Sequence, residues 1–190
     1  MNDTTFYRRL AEASPRNRGK VAGGLWLTSF AIAATTETTL RGAPNVVGGL
    51  LAVTGMVIMT LLIYGLFQPV SKALSLLAMC CNLIGLAFEA VRWQPFDLNV
   101  AIIFSGLYCV LLGLLILRST FVPRYLGLFM VAAGLGWLTY LSTPFANYLS
   151  PYNMAFGVLG EVSVMLWLLI IGINTQKWSE QAAAQRASRC

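Results

Sequence analysis

Apolar residues lie along this chain in six long runs, which short polar or turn-forming segments separate. Each run has about 20 residues, and a helix of that length crosses a hydrocarbon core of roughly 30 Å. The pattern predicts an all-α, polytopic integral membrane bundle. Its six transmembrane helices are expected near residues 21–40, 45–67, 70–93, 98–118, 121–142 and 153–174.

The two ends of the chain differ from the apolar runs. Residues 1–20 are polar and basic, and residues 176–190 are polar. We therefore expect a basic cytoplasmic arm (1–20), a six-helix transmembrane domain (21–175) and a polar cytoplasmic tail (176–190). The connections are too short for a soluble domain, and short connections favour antiparallel neighbouring helices.

Basic residues are distributed unequally between the two predicted sides of the membrane. Of the 13 Lys and Arg residues, only Arg41 and Arg92 lie on the side opposite the N-terminus. The positive-inside rule then places both termini in the cytoplasm. A second interpretation stays open, because Ala31-Ile32-Ala33 after a basic start resembles a signal-peptide cleavage site. Cleavage after Ala33 would leave five spans.

Composition supports the membrane assignment. Of the 190 residues, 57% are hydrophobic and 11% are charged, whereas a soluble domain has roughly 25% charged residues. The net charge of +6 suits anionic lipid headgroups, and no basic stripe alternates with aromatic residues as in nucleic-acid-binding proteins. We expect the lipid bilayer as partner, other membrane subunits as an open alternative and no nucleic acid. The expected location is a bacterial cytoplasmic (inner) membrane.

Several residue types and motifs that catalysis requires do not occur. The chain has no histidine, which removes the imidazole base, the histidine haem ligand and the usual zinc sites. The four cysteines form no CxxC pair, and no P-loop or HExxH motif is found. We therefore predict no catalytic residue, no metal site and no cofactor, and the sequence leans against an enzyme.

Ionisable residues in membrane spans are costly, so each one is a candidate for function. Glu37 and Arg41 end the first span and are four residues apart, and Glu89 and Arg92 end the third and are three apart. Each pair can meet on one helix face as an interfacial salt bridge. Glu161 lies well inside the sixth span, roughly 12 Å below its outer end. All three carboxylates fall in the outer half of the predicted bundle.

Glu161 has no basic residue within one turn of its own helix. Three states are open to it: a protonated carboxyl group, an ion pair across helices with Arg92 or Arg41, or a group facing a water-filled or ligand-filled cavity. Asn82 and Ser163 are its expected polar neighbours. A structural hydrogen bond and a functional proton, cation or ligand site are both compatible with its position.

Residues 122–127 and 160–169 carry a resemblance to a known family. Because of these two segments, the chain resembles an uncharacterised bacterial six-helix membrane family, the domain of unknown function of the four-three-eight-six type. Glu89 matches the family's carboxylate late in the third helix. In the sixth helix the family often has a basic residue before the last glycine, and this chain has Ile171 there. The family-motif positions are Pro123, Arg124 and Trp167. The resemblance implies the six-helix topology and no known activity, and it adds interest to Glu89 and Glu161.

Three classes of function stay open. The first is a non-catalytic accessory or structural subunit of a larger membrane complex, which the short loops and the missing catalytic motifs favour. The second is a small binding or sensing protein whose outer-leaflet cavity, around Glu89 and Glu161, takes a lipid, an amphiphile or a cation. The third is a small transporter or lipid-active enzyme, which the absence of histidine makes the least favoured.

Overall fold

The computed structural model describes residues 14–39, 42–92 and 99–187, except for the side chains of Glu37 and Ala43. These residues form helices and short connections, and no strand occurs among them. The helices are α1 (Pro15–Thr39), α2 (Ala43–Phe67), α3 (Lys72–Val91), α4 (Val100–Arg118), α5 (Arg124–Leu138), α6 (Thr143–Leu149), α7 (Tyr152–Ile170) and α8 (Thr175–Ala187). The all-α prediction is confirmed.

Five of the described helices are long and apolar enough to cross a membrane. They are α2, α3, α4, α5 with the 3-10 turn that follows it, and α7. Helix α1 has 25 residues and is long enough, but it is not one of these five, because its basic start at 16–20 and its polar end at 35–39 lower its hydropathy. These helices indicate a multi-pass membrane protein.

Local sequence explains several helix ends. The Ser71 side chain accepts a hydrogen bond from the Leu74 N–H and begins α3, and Asn99 caps α4 in the same way through the Ile102 N–H. Helix α3 ends where Arg92 takes a left-handed conformation with φ of 50°. Helix α1 begins at Pro15, inside the segment predicted as an arm, because a proline suits a first helical turn.

The six long helices of the described chain form a ring. Each helix packs against its neighbour in the order α1, α2, α3, α4, α5 and α7, and α7 packs back against α1. Short α6 connects α5 to α7 at one end. Helix α8 lies across the other end, where the Trp178 Nε1–H donates to the Leu66 carbonyl at 2.8 Å.

Helices α4 and α5 approach each other through paired glycines. A Cβ on Gly134 would lie 2.6 Å from the Gly106 carbonyl oxygen, and one on Gly113 would lie 2.8 Å from the Gly127 carbonyl oxygen. Because backbone atoms fill that space, any side chain there would push the helices apart. These contacts keep α4 and α5 in one register.

The middle of the ring is a continuous core of buried apolar side chains from different helices. Trp26, Met59, Leu112, Met130 and Met165 are each no more than 1% exposed. Apolar side chains also face outward, among them Leu61, Leu128 and Phe156, as expected for a surface in contact with lipid.

The basic side chains of the described residues gather at one end of the ring. We name the end at which α1 begins the basic end, and the end at which α1 finishes the opposite end. Among the described residues, the opposite end has one basic residue, Arg92. The basic end has Arg16, Arg18, Lys20, Lys72, Arg118, Arg124, Lys177 and Arg186.

Candidate functional site

Glu161 lies in the interior of the ring. Its side chain belongs to the buried stripe of α7, which also contains Gly157 one turn earlier and Val164 and Leu168 later. Glu161 is 6% exposed. A carboxyl group at this position is costly unless hydrogen-bond donors surround it, so its partners matter.

Donors from neighbouring helices meet at the Glu161 carboxyl group. The Trp137 Nε1–H on α5 donates to Oε1 at 2.7 Å, and the Cys109 thiol on α4 donates to the same oxygen at 3.6 Å. The Trp26 ring on α1 lies against the same group, but its buried N–H has no hydrogen-bond partner among the described residues. The described hydrogen bonds of Glu161 therefore connect α4, α5 and α7.

The predicted neighbours of Glu161 have other partners. The Asn82 Nδ2 donates to Thr60 Oγ1 at 2.6 Å, and Ser163 Oγ donates to the Leu159 carbonyl of its own helix. The prediction that these two residues accompany Glu161 is wrong. Arg92 donates to the Asn45 Oδ1 instead of meeting Glu161, and Arg41 lies outside the described residues, as does the side chain of Glu37.

A crevice opens at the opposite end of the ring between α1, α2 and α3. Its volume is about 190 Å³. Most of its lining is apolar, and polar groups of Ser29, Thr36, Glu89 and Arg92 complete it. The apolar lining residues are Phe30, Ala33, Val46, Leu50, Ala52, Val53, Met56, Leu86 and Ala90.

Two polar contacts between α2 and α3 lie above and below this crevice. The lower one is the buried hydrogen bond between Asn82 and Thr60. At the upper one, Arg92 donates to Asn45, which in turn donates through Nδ2 to the Thr36 carbonyl at 3.0 Å. The crevice thus lies between these two polar contacts.

A second cavity, of about 170 Å³, adjoins the crevice between α2, α3 and α4. It shares Met56, Leu86 and Glu89 with the crevice and also reaches Ser105 on α4. Ser105 lies one turn before Cys109 and contacts its thiol. Ser105 is therefore the lining residue that connects this cavity, through Cys109, to the Glu161 carboxyl group.

The family-motif positions lie at the basic end. Pro123 precedes the first residue of α5, and Arg124 is exposed at that first turn. Trp167 packs edge-on against Tyr125, with ring centroids 6.3 Å apart. These residues are separate from the crevice, which contains Glu89 and Arg92.

Sequence reasoning missed the most direct partners of the candidate residues. Trp137, Cys109 and Asn45 contact Glu161 or Arg92, but each is an ordinary residue for a membrane helix or its end. The sequence offered one signal, the spacing of four residues between Gly157 and Glu161. It places a position without a side chain and a carboxyl group on the same face of α7.

Comparison with known proteins supports the family resemblance. Residues 93–172 match the model of the family described as Domain of unknown function (DUF4386). The chain is also similar to an uncharacterized protein of Archaeoglobus fulgidus, with 29% identity over 136 residues, which cover 67% of this chain and 83% of that relative. No solved structure matches the chain. The matched range includes Pro123, Arg124, Glu161 and Trp167, and it does not reach Glu89.

Proposed function

We propose that this protein is a small membrane-embedded binding protein whose crevice between α1, α2 and α3 takes one amphiphile from the surrounding leaflet. The single observation that carries the proposal is the crevice itself, which combines an apolar interior with a charged rim. Lipid-binding sites need both features, because an acyl chain prefers apolar walls and a headgroup prefers polar partners.

The walls suit a hydrocarbon chain. Phe30, Val53, Met56 and Leu86 line the interior from three helices. At the rim, Val46 is 50% exposed and Leu50 is 49% exposed, so the entrance is apolar as well. An amphiphile can therefore enter sideways from the lipid without crossing a polar barrier.

The rim suits a polar headgroup. Glu89 and Arg92 are exposed at the end of α3 and line the crevice. Together they present a carboxylate and a guanidinium, which complement the ammonium and phosphate of a zwitterionic headgroup. The proposed ligand class is accordingly a lipid or amphiphile with one chain in the crevice and its headgroup at Glu89 and Arg92.

The proposed setting is the cytoplasmic membrane, with six spans and both termini inside. Helix α1 counts as the sixth span in this proposal, because its 25 residues correspond to about 37 Å at 1.5 Å per residue. The basic end then faces the cytoplasm. In this orientation the crevice opens to the outer leaflet, where it can sample lipids or exogenous amphiphiles.

Filling the crevice tests the proposal. A Cβ on Gly49 would meet only Arg92 Nη2, at 3.7 Å, so Gly49→Leu places a side chain in the crevice without a backbone clash. We expect wild-type protein, purified gently from its native membrane, to retain a lipid detectable by native mass spectrometry. We expect Gly49→Leu to retain at least about tenfold less, because the chain's space is occupied.

Gly65→Leu is the matched control, since it makes the same substitution on the same helix where a Cβ would have nothing within 4 Å. Equal retention by both variants and the wild type would refute the proposal. The alternative function, an accessory subunit, predicts instead that a second protein co-purifies in fixed stoichiometry and that neither substitution changes a bound lipid.

A further inference from the structure

We propose a second binding site, for a phosphate group, in a cavity at the basic end of the ring. This cavity has a volume of about 570 Å³. It lies between the start of α1, the α4–α5 connection, the end of α7 and the start of α8. It shares no lining residue with the crevice at the opposite end, so the inference is independent of the proposed function.

Two cationic side chains from separate helices line the cavity. Arg16 belongs to the first turn of α1, and Lys177 belongs to the first turn of α8. The Arg16 Nε donates to the Ile171 carbonyl at 3.3 Å, which holds the guanidinium at the cavity wall. The Lys177 side chain has no hydrogen bond or ion pair among the described contacts. Two cations facing one space favour an anionic occupant.

Neutral polar residues also line the cavity. Thr120, Thr175 and Gln176 contribute polar groups to the wall. The Trp167 ring lines the cavity as well, and its N–H is buried without a hydrogen-bond partner among the described residues.

Nearby negative charge is weak. Glu180 is the one carboxylate of α8, and it accepts a hydrogen bond from Gln176. The rest of the described chain at this end carries basic residues. The lining of the cavity therefore carries two cationic side chains and no carboxylate.

Phosphate could come from an anionic lipid headgroup or from a soluble phosphate ester, because both present the same oxygens. The basic end lies at the level of lipid headgroups if α7 spans the membrane. A competition experiment distinguishes the two sources.

The test uses full-length protein stripped of lipid in mild detergent. Binding of phosphatidylglycerol and of diacylglycerol, which has the same acyl body without the phosphate, is measured by native mass spectrometry. We expect a clear preference for phosphatidylglycerol. The double substitution Arg16→Gln with Lys177→Gln should weaken its binding about tenfold or more, since two charge-assisted contacts are lost.

The matched control is the double substitution Lys72→Gln with Arg186→Gln. It removes the same charge from the basic end outside the cavity. Lys177→Gln alone leaves the contact between Arg16 and Ile171 intact and should still lose several-fold affinity, which separates loss of binding from loss of folding. Equal loss in the control, or no preference for phosphatidylglycerol, would overturn the proposal. If millimolar inorganic phosphate displaces the lipid, the site takes soluble phosphate esters; if it does not, the site takes lipid headgroups.

Discussion

The indole ring of Trp137 occupies the space that a side chain at position 157 would fill. A Cβ on Gly157 would lie 2.5 Å from ring atom Cε2 of Trp137. One helical turn later on α7, Glu161 accepts the hydrogen bond from the same indole at 2.7 Å. The absence of a side chain at Gly157 is therefore what allows α5 to reach the buried carboxyl group.

Gly157→Ala should displace the Trp137 ring and weaken its hydrogen bond to Glu161. We expect the free energy of unfolding to fall by about 1–3 kcal/mol relative to Gly65→Ala, because overpacking forces neighbouring groups out of their minima. The measurement is unfolding in bicelles titrated with a denaturing detergent. Gly65→Ala is the control, since its new methyl group has nothing within 4 Å and it makes the same gain in helix propensity. Equal stability of the two variants would contradict the clash.

Substitutions at Glu161 should separate its hydrogen bond from its charge. Glu161→Gln keeps an acceptor oxygen for the Trp137 N–H, so we expect stability within about 1 kcal/mol of the wild type. Glu161→Leu leaves that N–H buried and unpaired, which costs about 1–3 kcal/mol. The same unfolding measurement applies. A leucine variant at least as stable as the wild type would mean that the carboxyl group contributes nothing to stability.

Thr60→Val should loosen the contact between α2 and α3 below the crevice. The substitution keeps the shape of the side chain but removes the oxygen that accepts from Asn82 at 2.6 Å. Asn82 is 3% exposed, so its amide loses a buried acceptor, and we expect a loss of about 1–2 kcal/mol. Thr54→Val is the control, because among the described bonds the Thr54 hydroxyl donates to the Leu50 carbonyl of its own helix and to no other group. A loss no larger than the control's would show that the hydrogen bond between Asn82 and Thr60 does not stabilise the packing of α2 against α3.

The proposed orientation can be measured by cysteine labelling in intact cells. All native cysteines are replaced by alanine, and single cysteines are introduced as Ser150→Cys and Ser179→Cys. Both serines are exposed, Ser150 before α7 and Ser179 within α8. A membrane-impermeant maleimide should label the first variant directly and the second only after lysis. The reverse pattern would place the basic end outside the cell. Equal labelling of the two variants would mean that α7 does not cross the membrane.

Much of the helical framework could be predicted from the sequence, because the solvent of a membrane helix is apolar and the signal is local. The predicted ends of the second, third and fourth spans lie within about two residues of those of α2, α3 and α4, since turn-forming residues such as Pro44 and Pro69 separate the runs. The predicted fifth run ends differently. Its last turn, Thr139–Leu141, is a tighter 3-10 turn, which hydropathy does not distinguish from an α-helix.

The partners of the candidate residues could not be predicted in the same way. Glu161 could be identified as a candidate from the sequence, because a lone carboxylate in an apolar run is costly whichever way its helix faces. Its partners Trp137 and Cys109 depend on how α4, α5 and α7 rotate about their axes. That rotation follows from close packing at glycines such as Gly106 and Gly134, which single-chain periodicity does not reveal.

By itself, then, the sequence determined the apolar helices, the unequal basic residues and the isolated position of Glu161, because each depends only on residue type and spacing. The tertiary structure alone decided that Glu161 bonds to an indole rather than to Arg92, and that Arg92 instead bonds to Asn45 beside a crevice. The physical reason is that hydrogen bonds form between atoms a few ångströms apart. Which atoms come that close is decided by the packing of helices distant in the chain.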